Sequence, residues 1–278
     1  MRLRSKLIPV IEICLFLVLI IINATPIAWG VLSSLKQNKD ILAFPPKIIG
    51  FTPTLEHYTR IISSGFFQSL LTSVFYSAAC IVFGVLLSLF AAYGFDRYHF
   101  RFRNALFLLV VMGIPLSMGS GALLIPNYLY MASFGLTNRW YTLVLLYTTY
   151  NLPMAIWILK GALEAVPKEI DEAATIDGCT GLSILFRILL PLSKPAIAAA
   201  SIFLFIGSWN EFIAASVMVD SPVLRPVQLT IYHYLGFFGR EWGPLTAAAS
   251  LAVVPILIAF AFLSRLLVSG LTQGSTKG

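Results

Sequence analysis

The stretch Glu164–Pro195, EAVPKEIDEAATIDGCTGLSILFRILLPLSKP, is the heart of a long polar interruption, Lys160–Pro195, in an otherwise largely bilayer-compatible chain. Pro167 suits the first position of a helix. Glu169, Asp171 and Glu172 then place acid in the early turns, where the helix dipole favours negative charge. Ala173 and Ala174 extend that helix with almost no side chain. Asp177-Gly178 ends it, because glycine enters the left-handed C′ conformation without steric penalty. A second short helix follows, with Leu182, Leu185, Phe186 and Leu189 on one face at helical spacing and Pro191 as its stop. The expected product is a helix–turn–helix elbow in water. One arm is acidic with a shoulder of small residues, and the other can pack back on the membrane domain. Small residues permit close docking into a groove, and flanking carboxylates can pair with basic groups on its rim.

Around this elbow the composition is that of a membrane protein. Of 278 residues, 58% are hydrophobic and 11% charged, and the mean hydropathy of +0.87 lies outside the soluble range. A helix needs about 20 apolar residues to cross the hydrocarbon layer. Six such spans are expected, at Pro9–Val31, Gln68–Tyr93, Asn104–Tyr130, Trp140–Leu159, Ala196–Val219 and Leu245–Val268, so the fold class is all-α and polytopic. Gly113, Pro115, Gly119, Gly121 and Pro126 should kink or break the third, which points equally to a pathway-lining helix or a packing kink. The chain divides accordingly. Residues 1–66 form a first helix and an outward loop, 67–268 the core with its loop at 160–195, and 269–278 a tail. No repeat of 20–50 residues is visible.

Charge sets the orientation. Arg2, Arg4, Lys6, Arg97, Arg101, Arg103, Lys160, Lys168, Arg187, Lys194, Arg265 and Lys277 fall on one side. The opposite side holds the smaller set Lys36, Lys39, Lys47, Arg60, Arg139, Arg225 and Arg240. By the positive-inside rule both termini and the elbow face the cytoplasm, while Lys36–Phe67 and Asp220–Pro244 face outward. Phe51, Pro53, Trp242 and Pro244 suggest that those outward segments are partly ordered. The net charge of +7 is spread over short loops, which excludes a nucleic-acid surface. The apolar run at the amino terminus is too long for a signal-peptide core. Cys14, Cys80 and Cys179 imply no disulfide framework, and His57, His99 and His233 form no metal cluster. No G-x-x-x-x-G-K-[ST] element is present to cradle ATP phosphates.

The spacing of the elbow is specific. Glu172-Ala173-Ala174, three residues, Gly178, nine residues, Ile188, one residue and Leu190-Pro191 resembles the EAA loop of ABC-importer permease subunits. Asn151-Leu152-Pro153, Asp177-Gly178, Trp209-Asn210-Glu211-Phe212, Trp242-Gly243 with Ala247-Ala248-Ala249, and the tail from Gly270 resemble the MalG-type sugar permeases. The resemblance implies a type I importer fold in the cytoplasmic membrane of a bacterium or archaeon. It implies a second permease subunit as partner in a heterodimer, a cytoplasmic ATPase dimer that binds ATP and Mg, and an extracytoplasmic solute-binding protein. The chain itself would then hold no cofactor and catalyse no reaction. By the same analogy Glu172 pairs with a basic ATPase residue, Ala173 and Ala174 form the docking shoulder, and Gly178 makes the turn. Asp177, Ile188, Leu190 and Pro191 complete the coupling set. The resemblance also lets the tail reach the ATPase and Asp220–Pro244 touch the binding protein.

Other residues bear on the pathway. Glu211, beside Trp209 and Asn210, lies roughly 24 Å along the fifth span from Pro195, where an ionisable group is costly. It reads either as pathway lining or gate, or as an interfacial acid with a structural role. Ser201, Phe205 and Ser208 share a face of that span and are candidate sugar contacts or ordinary packing. Glu12 is expected at the inner interface near Arg4, and Arg97, Arg101 and Arg103 read as a positive-inside anchor. Two rival functions remain at this point: the same machine for a polyol or glycerol phosphate, and an ion-coupled secondary transporter. The second would want paired carboxylates or discontinuous helices at mid-membrane, and only Glu211 comes near.

Overall fold

The computed structural model describes residues 4–118, 120–236 and 241–274, and every regular element among them is helical. The α-helices, in chain order, are α1 (Arg4–Ser34), α2 (Asn38–Ile41), α3 (Glu56–Ser63), α4 (Phe66–Arg97), α5 (Arg103–Met118), α6 (Leu124–Ser133), α7 (Trp140–Glu164), α8 (Glu169–Ile176), α9 (Gly181–Ile184), α10 (Leu190–Leu192), α11 (Lys194–Trp209), α12 (Ile213–Met218), α13 (Val227–His233) and α14 (Trp242–Gly274). Arg2, Gly119, Arg240 and Lys277, used above for orientation and kinking, lie outside the described residues.

Four of these helices, α1, α4, α7 and α14, are long and apolar enough to cross a membrane unbroken. The other two expected spans are interrupted. The third is α5, with Pro115 inside it, followed by a 3₁₀ turn at Ser120–Leu123 and then α6. A proline removes one ladder hydrogen bond and its ring crowds the preceding turn, which weakens the helix just ahead of the interruption. The fifth was expected as one helix over Ala196–Val219, but α11 stops at Trp209 and helix resumes only at Ile213. The sixth runs past Val268 as far as Gly274, so the start of the expected tail is helical.

The chain packs as two units. One joins Met1–Phe67 to Thr230–Val254. Within it, α1 is exposed from Glu12 to Trp29, including Glu12 itself, and burial begins at Ser33 and Ser34. The loop after α1 is folded. Lys36 is buried, with its ammonium 4.5 Å from the Trp29 ring centre and 5.3 Å from that of Phe51. The Lys36 carbonyl meets His57 Nε2 at 2.8 Å, and Ser34 Oγ lies 2.7 Å from the Tyr58 hydroxyl. Gly243 rests against the His57 imidazole so closely that any Cβ there would collide with the ring. Arg60 pairs with Glu241 at 2.9 Å. The order expected of these outward segments thus has a concrete basis in a buried lysine beside two aromatic rings and in a histidine against Gly243.

The second unit joins Gln68–Leu229 to Pro255–Gly278. Its core is built on α7, whose Leu143, Tyr147, Ala155, Leu159 and Leu163 are fully buried. In hydrocarbon the hydrophobic effect gives helices no reason to associate, so they pack by close approach at small residues. Three glycines provide it. A Cβ on Gly84 would strike Leu204, one on Gly113 would come within 3.2 Å of Pro153 Cγ, and one on Gly207 would fall on the Asn151 side-chain amide. The Asn151-Leu152-Pro153 segment is therefore where α7 receives both α5 and α11. Asn151 keeps its own amide occupied by donating to the Tyr147 carbonyl at 2.7 Å.

Candidate functional site

The elbow forms between α7 and α11. Its acidic arm is α8, with Glu169, Asp171 and Glu172 in the first turn. The arm ends in a Schellman motif. Gly178 takes φ +82°, its N–H donates to the Thr175 carbonyl at 3.0 Å, and the Cys179 N–H donates to the Ala174 carbonyl at 2.9 Å. Thr180 then caps α9, its Oγ1 accepting from the Ser183 N–H at 3.4 Å.

The second arm departs from the sequence reading in two ways. A π-helical turn spans Leu185–Leu189, in which the Leu190 N–H reaches back five residues to the Leu185 carbonyl. Such a turn holds one residue more than an α-turn and rotates the buried face. Ile184, Leu185 and Leu189 are buried, whereas Leu182 and Phe186 lie outside, Phe186 meeting Phe90 edge-on at 5.7 Å. The expected face of Leu182, Leu185, Phe186 and Leu189 is corrected accordingly. Pro191 does not stop the arm either. The helix runs through it to Leu192, because the π-turn leaves the ladder already reorganised where the proline lacks its N–H. The break comes at Ser193, and the arm Gly181–Leu192 meets α11 at 82°. The arm therefore lies nearly crosswise to the span it feeds.

Residues that the resemblance assigns to coupling are distributed unevenly. Glu172, Ala173, Asp177 and Gly178 are exposed, as is Pro191, while Ile188 and Leu190 are half-buried. Ala174 is buried at 6% exposure. Neighbouring helical residues point about 100° apart. Ala173 and Ala174 therefore cannot form one outward shoulder: Ala173 faces out and Ala174 joins the core. Ile176, one turn beyond Glu172, is 86% exposed and was not anticipated, although an apolar residue at i+4 from Glu172 was visible in the sequence.

Arg97 was also missed as part of this site. It closes α4, its side chain is buried, and it reaches the elbow through Asp171 at 2.5 Å and the Val166 carbonyl at 3.1 Å. It pairs with its neighbour Asp96 at 2.6 Å as well. The only sequence signal was an acid beside an arginine at the basic end of a span. Gly181 packs under the same helix end, where a Cβ would lie 3.2 Å from the Tyr98 hydroxyl and 3.3 Å from that of Tyr93.

The candidates on the fifth span separate into two groups. Ser201, Phe205 and Ser208 are buried within this chain. Phe205 stacks on Trp209 at 5.4 Å, and the Ser208 hydroxyl is bonded to carbonyls of its own helix, at 2.7 Å to Leu204. Their positions are those of packing residues. Asn210 and Glu211 occupy the break itself. Asn210 is exposed and donates to the Ile206 carbonyl at 3.0 Å. Glu211 Oε1 accepts from the Ala214 N–H at 2.8 Å and Oε2 from the Ala215 N–H at 3.3 Å. A broken helix exposes the N–H groups of its next first turn, which cost free energy at membrane depth unless they find an acceptor. Glu211 supplies two, and its charge also suits the positive end of α12. Among the described residues, no group of three or more His, Cys, Asp or Glu is placed to hold a metal ion.

Comparison with known proteins gives this geometry a context. Residues 84–273 match the family model described as "binding-protein-dependent transport system inner membrane component". The chain is 31% identical over 266 residues to the sulfoquinovosyl glycerol transport system permease protein SmoH of Agrobacterium fabrum, covering 94% of this chain and 91% of that one. It is also 31% identical over 272 residues to the trehalose/maltose transport system permease protein MalG of Thermococcus litoralis, covering 96% and 92%. Among solved structures, a bacterial ABC transporter involved in the import of the acidic polysaccharide alginate superposes with a TM-score of 0.75 at 18% identity, over 94% of this chain and 97% of that one. That likeness establishes the type I permease fold. With the family model covering most of its length, the chain belongs to the binding-protein-dependent transport system inner-membrane components.

Proposed function

We propose that this chain is one of two permease subunits in an ATP-driven, binding-protein-dependent importer of sugars or oligosaccharides. The observation that carries the reading is the elbow. Glu172, Ala173 and Ile176 stand exposed on a short helix whose sister arm lies at 82° to α11. An exposed isoleucine beside a carboxylate suits a groove with an apolar floor and a basic rim, as a separate ATPase would offer. In this reading the ATPase dimer binds ATP and Mg and performs the hydrolysis, and this chain holds no cofactor. Glu172 meets a basic ATPase residue, Ala173 and Ile176 dock, and Gly178 fixes the turn. Asp177, Ile188, Leu190 and Pro191 shape the arm behind them. Six spans cross the cytoplasmic membrane, the interrupted third and fifth included, with both termini and the elbow inside. The relatives named for sulfoquinovosyl glycerol and for trehalose/maltose support the carbohydrate class.

The test is reconstitution of the chain with its partner permease, ATPase and binding protein in sealed vesicles. Uptake of a radiolabelled saccharide should require both ATP inside and the loaded binding protein outside. Uptake by this chain alone, driven by a proton or sodium gradient, would overturn the reading.

A further inference from the structure

We propose that Arg97 is a positioning residue that ties the acidic arm of the elbow directly to α4, an inference that rests on the coupling role proposed above. Covalently, the elbow joins only α7, through Ala165–Lys168, and α11, through Ser193. Arg97 adds a third connection. Its Nη1 donates to Asp96 Oδ2 at 2.6 Å, its Nε to Asp171 Oδ2 at 2.5 Å, and its Nη2 to the Val166 carbonyl at 3.1 Å. One guanidinium thus grips the end of α4, the first turn of α8 and the segment between α7 and α8. Its side chain is 7% exposed and that of Asp96 6%, so these bonds form away from water, where charge-assisted bonds are strong.

The stoichiometry makes the tie stiff. Two carboxylates share one cation, so removal of Arg97 leaves Asp96 and Asp171 as poorly solvated like charges that repel. The acidic arm would then be pushed away from α4 as well as released. Lysine cannot substitute fully, because an ammonium lacks the planar fork that serves three acceptors in fixed directions. Gly181 beneath the Tyr93 and Tyr98 hydroxyls gives the second arm its own seat on the same helix end. A displacement of α8 therefore moves α4 together with α7 and α11.

The experiment uses the complete reconstituted importer and reads the ratio of saccharide taken up to ATP hydrolysed. A residue that merely supports folding lowers both rates together and leaves the ratio unchanged. Arg97→Met should lower the ratio about fivefold or more. Asp171→Asn, which keeps the shape and one acceptor, should lower it about twofold or more. Arg97→Lys should fall between Arg97→Met and the unmodified protein, and combining Arg97→Met with Asp171→Asn should do no more than Arg97→Met alone. If Arg97→Met fails to assemble, Asp171→Asn decides. An unchanged ratio in Asp171→Asn, or uptake and hydrolysis falling in proportion, would overturn the tie. Loss of ATP dependence in the unmodified importer would overturn the coupling role instead.

Discussion

Gly178→Val tests whether the shape of the elbow matters more than its surface. Gly178 sits at φ +82°, and a Cβ built there meets nothing within 4 Å. The cost of a side chain is thus torsional and owes nothing to crowding. A left-handed residue with a Cβ costs about 1–2 kcal/mol, and a β-branched one sits near the upper end of the roughly 1–3 kcal/mol attached to strained backbone. The turn could relax only by giving up the bonds from Gly178 to Thr175 and from Cys179 to Ala174, each worth about 1 kcal/mol net. A bias of about 2 kcal/mol is roughly a 30-fold shift between the bent elbow and an opened one. That is too little to unfold the spans, but enough to deprive the ATPase of its docking shape. Membrane insertion and yield should hold, while co-purification of the ATPase and ATP-dependent uptake fall by about twofold or more. Asparagine tolerates the left-handed region, so Gly178→Asn should retain most activity and Gly178→Ala should fall between. Two results would refute this: a valine variant that binds and transports normally, or an asparagine variant as impaired as valine.

Glu211→Ala removes both acceptors from the first turn of α12. It should cost about 1–2 kcal/mol, read as a midpoint lowered by about 2–4 °C per kcal/mol in detergent. Glu211→Gln keeps one acceptor and should cost less, and equal midpoints for all three proteins would remove the capping role. Gly207→Ala should overpack the contact with Asn151 and destabilise by about 1–3 kcal/mol. Asn151→Ser in the same chain should recover part of that loss, and strictly additive effects would show that the two residues do not share a contact.

Features governed by a few neighbouring residues were legible in the sequence. The acid-rich start of α8, the glycine at its C′ position and the four long apolar helices all follow from local rules. The buried face of the second arm did not, because a 3.6-residue period has no way to announce a π-turn at Leu185–Leu189. Arg97 escaped because Asp171 is 74 residues away along the chain, and loop arginines in a membrane protein already have an explanation as topology signals. Glu211 was recognisable as an ionisable group at costly depth, but its partners are backbone N–H groups, which a sequence does not display. Ser201, Phe205 and Ser208 do share a helical face, and only packing shows that this face turns inward.

The corner at Ser193 has a mechanical consequence. Its N–H donates to the Leu189 carbonyl and its own carbonyl accepts from the Ile197 N–H, both at 2.9 Å, so the bend is braced from each side. Two stiff rods fixed at 82° make a bell crank. The arm Gly181–Leu192 is about 18 Å long and α11 about 24 Å. A stroke of about 5 Å at the free tip of the arm turns the crank by about 16° and swings the Trp209 end of α11 by about 7 Å. Glu211 and the break in the fifth span lie at that swinging end. A small stroke at the tip of the arm is thus delivered, enlarged, at the break in the fifth span.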